Sequence, residues 1–533
     1  MTIRIINLTL GIDESKDLLD KKIAKKLKLS VDKISGYNII KESLDARKKQ
    51  DLKFTYAINI DLQNEEALVK KLKDKDILVE KEGYKADVIC GVEELKHRPV
   101  VVGMGPSGLF AALLLARKGY KPLVFERGED VDARTITVDK FWESGALNKE
   151  SNVQFGEGGA GTFSDGKLTT RIKDNRCDFV LDALIEHGSP ADIKYKGKPH
   201  VGTDILKGVV KNIREEIKSR GGKVHFNSKV EGITRENGRV KSVIVNGEEI
   251  LADEVIFAIG HSSRDTYKML FENEVFMEAK PFSIGVRVEH PQKGINENQY
   301  GPYATHPKLG AAEYRLVYQS KELGRAVYSF CMCPGGVVVN AASEDGRLCV
   351  NGMSYHARDK DNANSALVVT VGPKDYGSDH PLAGMEFQRK YEELAFKVGG
   401  SDYKIPVQLL GDFMEDRVTT ELKSVVPSVA PNHVFRDLRE CLPDYVVTAI
   451  KEAVPDFERK IEGFGHADSV LTGVETRTSA PVTLKRDERL QSISLEGLYP
   501  AGEGAGFAGG IISAAVDGIK VAERIIEKYA PMK

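Results

Sequence analysis

Arg98-Pro99-Val100-Val101-Val102-Gly103-Met104-Gly105-Pro106-Ser107-Gly108 is the stretch on which the reading of this 533-residue chain turns. The apolar run Pro99 to Val102 is too short for a helix and rich in β-branched residues, so it predicts a buried parallel strand. Gly103, Gly105 and Gly108 follow at the spacing of a dinucleotide-binding turn, with Pro106 and Ser107 inside it. The first glycine allows a tight bend, the second lets a pyrophosphate approach the backbone, and the third lets the next helix pack closely on the strand. That helix is predicted over Leu109 to Lys118, with Ala111, Ala112 and Leu115 towards a sheet and Gly119 ending it. A second strand, Lys121 to Phe125, delivers Glu126 eighteen positions past Gly108, followed by Arg127. A carboxylate there accepts the ribose hydroxyls of an adenosine while the helix amino terminus faces the phosphates. A lone GxGxxG is common; strand, helix, second strand and acid in register make dinucleotide binding the expectation.

The other end of the chain selects the dinucleotide. Leu498-Tyr499-Pro500-Ala501-Gly502-Glu503 reads as a short strand leading to an acid, and Gly504, Gly506, Gly509 and Gly510 open a helix carrying Ile511, Ala515, Ile519, Ala522 and Ile526 at helical spacing. A nicotinamide fold has no need of such a piece. A flavin does, because an acid can hold the ribityl chain while the positive helix end faces the N1/C2=O edge.

With the segments Phe155 to Lys167 and Gly473 to Pro481, this arrangement resembles the FAD-dependent oxidoreductases of the glutathione-reductase-like superfamily. Within it, the chain is most similar to the bacterial proteins called uncharacterised FAD-dependent dehydrogenases, or NAD(FAD)-utilising dehydrogenases, over nearly its whole length. The resemblance implies an α/β Rossmann-like FAD-binding fold, an inserted α+β substrate domain and FAD as cofactor. It implies that Val230 contacts the adenine through its backbone and that Ile259-Gly260-His261, at the end of the strand Val255 to Ala258, closes over the dinucleotide from the opposite side. The glycine-rich run holding Gly158, Gly159, Gly161 and Thr162 leaves backbone amides exposed in a flexible segment suited to wrapping a flavin and its pyrophosphate.

Composition narrows the class. A 41% hydrophobic content suits a globular protein, and a formal charge of −2 exerts no global pull on nucleic acid or membrane. No run of about 18 apolar residues exists, and Met1 to Leu10 has no signal-peptide pattern, so a cytoplasmic protein is expected. Six scattered cysteines do not form a disulfide framework, in agreement with a reducing compartment.

Four regions are expected: residues 1–96 as an N-terminal ferredoxin-like α+β domain, 97–275 as the first part of the FAD-binding domain, 276–464 as the inserted substrate or cap domain, and 465–533 as the C-terminal part of the FAD-binding domain. The first rests on strand-like Thr2 to Leu10, Tyr37 to Lys41, Leu52 to Ile60 and Ile77 to Glu80 with helices Ser15 to Leu27 and Glu65 to Leu72, the order βαββαβ. Its helix exposes Lys21, Lys22, Lys25, Lys26 and Lys28. They read as a phosphate-backbone grip or as a solvated face, the second being favoured because acids interleave with the lysines, so nucleic acid is a possible partner but not the favoured one. Arg127 to Lys149 is polar and poorly periodic, and Thr203 is placed as N-cap of a helix to about Arg220. The insert has no second GxGxxG unit, so any NAD(P)H would dock transiently on the flavin face as electron donor.

Candidate catalytic residues are Lys167, Glu475 and Arg477. Lys167 would stabilise reduced flavin or bind an acidic substrate, or else pair on the surface. Glu475 and Arg477, two apart, would aim at one side as an ion pair or as contacts to substrate or flavin, the role implied by the resemblance. Arg287, His290, Arg315, His356 and Arg358 are candidates for holding an anionic small-molecule substrate. Cys331 and Cys333 would share a strand face, as a redox dithiol or as two small buried hydrophobes. No metal-ligand spacing stands out.

Overall fold

The computed structural model describes residues 2–34, 36–61, 69, 72–80, 88–429 and 431–532. At its centre the β-branched run Val100–Val102 is fully enclosed in a five-stranded sheet ordered Leu498–Pro500, Val255–Phe257, Val100–Val102, Leu123–Phe125, Lys223–His225, with every neighbouring pair parallel. Helices Pro106–Arg117 and Ile511–Lys528 pack on one face and on each other. Their crossing depends on a glycine, because a Cβ on Gly518 would lie 2.0 Å from the Ser107 carbonyl oxygen. The other face is covered by an antiparallel sheet of Val230–Glu236, Arg239–Val245 and Glu248–Leu251.

The insert is built on a seven-stranded sheet ordered Val317–Gln319, Ala326–Cys333, Asn362–Val371, Phe282–Pro291, Val470–Glu475, Ile405–Leu409, His433–Phe435. Helices Ala383–Val398 and Asp444–Lys460, where the sequence leads one to expect helices over Met385 to Phe396 and Asp444 to Ile461, pack against this sheet. Two chain segments join the insert to the parallel-sheet unit, and they pair with each other as an antiparallel ribbon, Met277–Ala279 with Val482–Leu484.

In the N-terminal unit the strand order is Asn38–Asp45, Lys53–Ile60, Thr2–Gly11, Ile77–Glu80, all antiparallel, which is the ferredoxin-like order. Helix Leu18–Leu27 buries Leu19, Ile23 and Leu27; the expected helix Glu65 to Leu72 lies outside the described residues except for Val69 and Leu72. Lys22 pairs with Glu14 and Lys26 with Asp74 and Asp76, as a solvated, ion-paired face requires. The unit docks through backbone pairing: the Glu42 amide donates to the Tyr195 carbonyl at 2.7 Å and the Gly197 amide to the Glu42 carbonyl at 2.6 Å. Lys308 of the insert donates to the carbonyls of Ile12 and Glu14, both at 2.8 Å.

Three local expectations are corrected. The stretch Arg127 to Lys149 contains a helix, Val131–Ser144, capped by the Asp130 carboxylate, which accepts from the Asp132 and Ala133 amides. Its buried face is Val131, Arg134, Val138 and Phe141, and the charged Arg134 in that row hid the periodicity. Thr203 is not an N-cap; its hydroxyl donates to the Thr162 carbonyl at 2.5 Å, tying the helix to the glycine-rich segment. Cys331 and Cys333 do not share a face, because the register with Asn362–Val371 shifts between Phe330 and Cys333 and Cys331 adopts φ +45°, leaving Cys331 exposed and Cys333 buried.

Residues 88–95 continue the parallel-sheet unit. The Gly91 amide donates to Ile526 at 2.8 Å, Glu93 to Lys528 at 3.3 Å and Ala530 to Glu93 at 2.8 Å, while Val88, Cys90 and Leu95 pack on the helical core. A chain truncated to begin at Val88 should therefore fold and retain flavin. One beginning at Lys96 should be less stable by about 2–4 kcal/mol, the worth of three backbone bonds, measured as the difference in urea-unfolding free energy between the two; equal stability would show that the 88–95 segment contributes nothing.

Candidate active site

The candidate nucleotide cradle is organised by Glu126, which is 4% exposed. Its carboxylate accepts from the backbone amides of Met104 at 2.8 Å, Gly128 at 3.0 Å and Gly156 at 2.9 Å. One side chain thus ties the first glycine turn, the end of its own strand and the glycine-rich segment together. The Gly158 amide completes the join by donating to the Met104 carbonyl at 2.9 Å. Arg134, fully buried, donates to the carbonyls of Asn152, Val153 and Glu157, and burial pushes its pKa down to about 10. Burial pushes the neighbouring Glu157 carboxyl up to about 7, against its ion pair with Arg214 and its bond from the Val131 amide. Sequence reasoning missed both; Glu157, an acid inside the glycine run, was a signal, whereas nothing in the spacing marked Arg134.

These residues fit a dinucleotide. Helix Pro106–Arg117 opens at Gly105 with its first amides directed out of the helix, and the Ser107 hydroxyl is buried without a hydrogen-bond partner among the described residues. A narrow, mostly apolar cleft lies between Pro106, Gly158, Gly161, Thr162, Val210 and Ile511. Gly510, at φ +99°, caps the final helix, and a Cβ on Gly509 or Gly510 would meet nothing within 4 Å. The helix end is therefore open to a planar ring, with about half an elementary charge of positive potential facing it.

Around Gly502 to Gly510 the charges are set by burial. Glu503 is pushed up to about 7, with Lys280 acting in the opposite direction. His261 stands 3.8 Å from that carboxylate. Burial, with the cations Arg477 and Arg264 beside it, pushes the imidazole down to about 3, so His261 is neutral. Lys280 donates to the Gly506 carbonyl at 2.9 Å and is a basic group that the sequence reading did not place at this edge. Gly260 sits against Gly504, and the Tyr267 hydroxyl donates to the carbonyl of Gly504 at 2.8 Å.

The remaining expected residues separate. Arg127 donates to both Asp265 oxygens at 2.8 Å and to Glu150 at 2.7 Å, with its guanidinium 4.2 Å above Phe155. Val230 pairs with Val245 at the start of its sheet. Glu475 and Arg477 do not act on one side: Glu475 binds Arg287 at 2.6 and 2.9 Å, whereas Arg477 binds Glu392 at 3.0 and 2.9 Å and reaches Ser343 at 2.5 Å. The strand ends at Glu475, so strict alternation does not extend to Arg477. Arg264 joins the second network at 2.6 and 2.8 Å from Glu392; against the effect of burial, the two guanidiniums hold that carboxyl well below the usual carboxylate range. Lys167 points to the insert, donating to the Met332 carbonyl beside Glu313. His290 is buried against the Tyr314 hydroxyl, Arg315 is exposed, and Arg358 pairs with Asp165.

A five-stranded parallel sheet with a glycine turn, a strand-end acid and a closing helix defines an FAD-dependent oxidoreductase. Comparison with known proteins agrees. Residues 97–275 match a family model described as pyridine nucleotide-disulphide oxidoreductase, residues 281–478 one described as FAD-dependent protein, C-terminal domain-like, and residues 2–61 a domain of unknown function. An uncharacterised protein of Clostridium beijerinckii is 64% identical over 529 residues, 99% of each chain. Protein FixC of Salmonella typhi is 25% identical over 205 residues, 37% of this chain and 44% of that protein. A crystal structure of CtdE in complex with FAD covers 80% of this chain and 82% of its own at 13% identity, with a TM-score of 0.31. The chain belongs, with the Clostridium beijerinckii protein, to a family of FAD-dependent oxidoreductases, and FAD is its cofactor. No helix among the described residues is long and apolar enough to cross a membrane.

Two outcomes follow from the cradle. Glu126→Ala orphans three buried amides and should lower the stability of the FAD-free chain by about 3 kcal/mol, read by chemical denaturation; unchanged stability with weakened FAD binding would mean that Glu126 serves the ribose alone. Because Glu503 keeps its proton up to about pH 7 when folded but releases it near 4.5 when unfolded, its contribution to stability falls as pH rises between those values. Glu503→Gln should remove that loss, gaining roughly 2–3 kcal/mol at pH 8 and nothing at pH 4, measured by denaturation across pH.

Proposed function

We propose that this chain transfers a hydride between small molecules through non-covalently bound FAD, with the substrate entering between the glycine-rich segment and the sheet of the insert. The observation that carries the reading is the placement of the insert. The ribbon Met277–Ala279 with Val482–Leu484 anchors it beside the Gly502 to Gly510 loop, and Lys280, Arg477 and Ser262 converge there around His261 and Glu503. Bound FAD supplies hydride acceptance and donation. The chain supplies the rest: amides of the first turn and of helix Pro106–Arg117 hold the phosphates, the helix end at Gly510 places positive potential at the ring edge, and Glu503 holds a proton beside neutral His261. The two buried ion-pair networks give the site walls that do not rearrange, since removing one partner would strand a buried charge.

No second dinucleotide-binding turn occurs among the described residues of the insert, so NADH or NADPH would act as a transient donor docking on the flavin face. The cytoplasm is the proposed compartment, supported by six cysteines that are all free. The paired lysines of the N-terminal helix lend no support to an RNA-directed role.

The purified chain should be yellow and release FAD on denaturation. Under anaerobic conditions NADH, NADPH or dithionite should bleach the flavin, and air should restore it. A flavin that none of the three reduces, or that does not reoxidise, would overturn the reading in favour of a non-catalytic flavoprotein.

A further inference from the structure

Where residues 165–167 meet the insert, positive charge is in excess. Lys167 lies 3.5 Å from Glu313, and Lys198 reaches the same carboxylate at 2.9 Å. Arg358 grips Asp165 through two nitrogens. Three cations therefore face two carboxylates. His200, stacked on His356 with ring centres 5.2 Å apart, adds no charge, because burial and the nearby Arg358 push it down to about 4. The side chains of Lys167, Glu313, Arg358 and Asp165 are 25%, 19%, 9% and 4% exposed, so solvent screens them weakly, and Lys198, at 68%, stands at the rim.

The carboxylate at the centre of this cluster is not part of the scaffold. Glu313 sits on a stretch without regular secondary structure, residues 309–316, while both lysines that hold it come from the parallel-sheet unit. A loop-borne carboxylate gripped by two lysines of the opposite wall stands where a substrate carboxylate would stand. Cys331, exposed at its strand bulge, directly precedes Met332, whose carbonyl accepts from Lys167, and its own carbonyl accepts from Arg287 at 3.2 Å, so it borders the same cluster. Gly166 and Lys167 directly continue the glycine-rich segment along the chain.

We propose that this charged junction receives the carboxylate of the substrate, which displaces Glu313 from between Lys167 and Lys198. The proposal rests on the oxidoreductase reading and assigns it a substrate class, a small carboxylic acid.

The test uses the full FAD-loaded chain with succinate as probe, inorganic phosphate as a second arm and sodium chloride at equal ionic strength as reference. Two signals are followed: the rate at which iodoacetamide alkylates Cys331, read by mass spectrometry, and the flavin absorbance. Succinate should slow alkylation and shift the flavin band, phosphate less so. Glu313→Gln, which removes the competing carboxylate, should tighten succinate about fivefold. Lys167→Met should weaken it about tenfold or more, and Lys167→Arg, which keeps the charge, should restore most of the binding. Alkylation indifferent to succinate, weaker succinate binding in Glu313→Gln, or stronger protection by phosphate than by succinate would each overturn the proposal. Flavin content and dithionite bleaching of the natural chain report the oxidoreductase reading separately: a chain that cycles electrons yet ignores succinate loses only the carboxylate site.

Discussion

The Glu126 carboxylate is the constraint on which the rest of the molecule hangs. It ends a buried strand and accepts from three amides that belong to the first glycine turn, to the chain just beyond the strand and to the glycine-rich segment thirty residues on. Glycine loops have high conformational entropy, and a charged acceptor with several amide donors is among the stronger ways of removing it. Arg134 does the complementary work from the other side, satisfying three carbonyls of the same segment. An acid for the amides and a guanidinium for the carbonyls hold the glycine-rich run against the first glycine turn.

The opposite wall is built from charge pairs that span the junction between units. Arg264 follows the Gly260 loop, Glu392 sits on a helix of the insert, and Arg477 lies on the return to the parallel-sheet unit. Such buried pairs contribute little net stability against apolar replacements, yet breaking one is costly, so their effect here is to specify how the insert is oriented. The Arg287–Glu475 pair does the same within the insert sheet, next to Asn364. Between these walls lie the groups whose protonation burial controls, Glu503 and His261, and the open helix end at Gly510.

Much of the fold was legible in the sequence for a physical reason: its signals are local. The β-branched run at Val100, the glycine spacing to Gly108, the acid at Glu126 and the helical spacing from Ile511 to Ile526 lie within single elements, and these elements formed as the patterns required. The alternating strands of residues 2–60 led likewise to the ferredoxin-like order. Failures came where a charged residue occupied a core position, as Arg134 does in Val131–Ser144, or where a bulge broke alternation, as at Cys331.

By itself, the sequence determined the class of fold, the cofactor and the local elements of the parallel-sheet unit, because periodicity and glycine spacing act over a few residues. Tertiary structure alone decided which charges meet. Glu475 found Arg287, 188 residues away, and Arg477 found Glu392, 85 residues away, although on the strand pattern they were neighbours. Likewise Lys167 met a carboxylate of the insert, and His261 and Lys280 came to flank Glu503. Coulombic partners are selected by distance in space and by the low dielectric around them, neither of which is written in the spacing of residues along a chain.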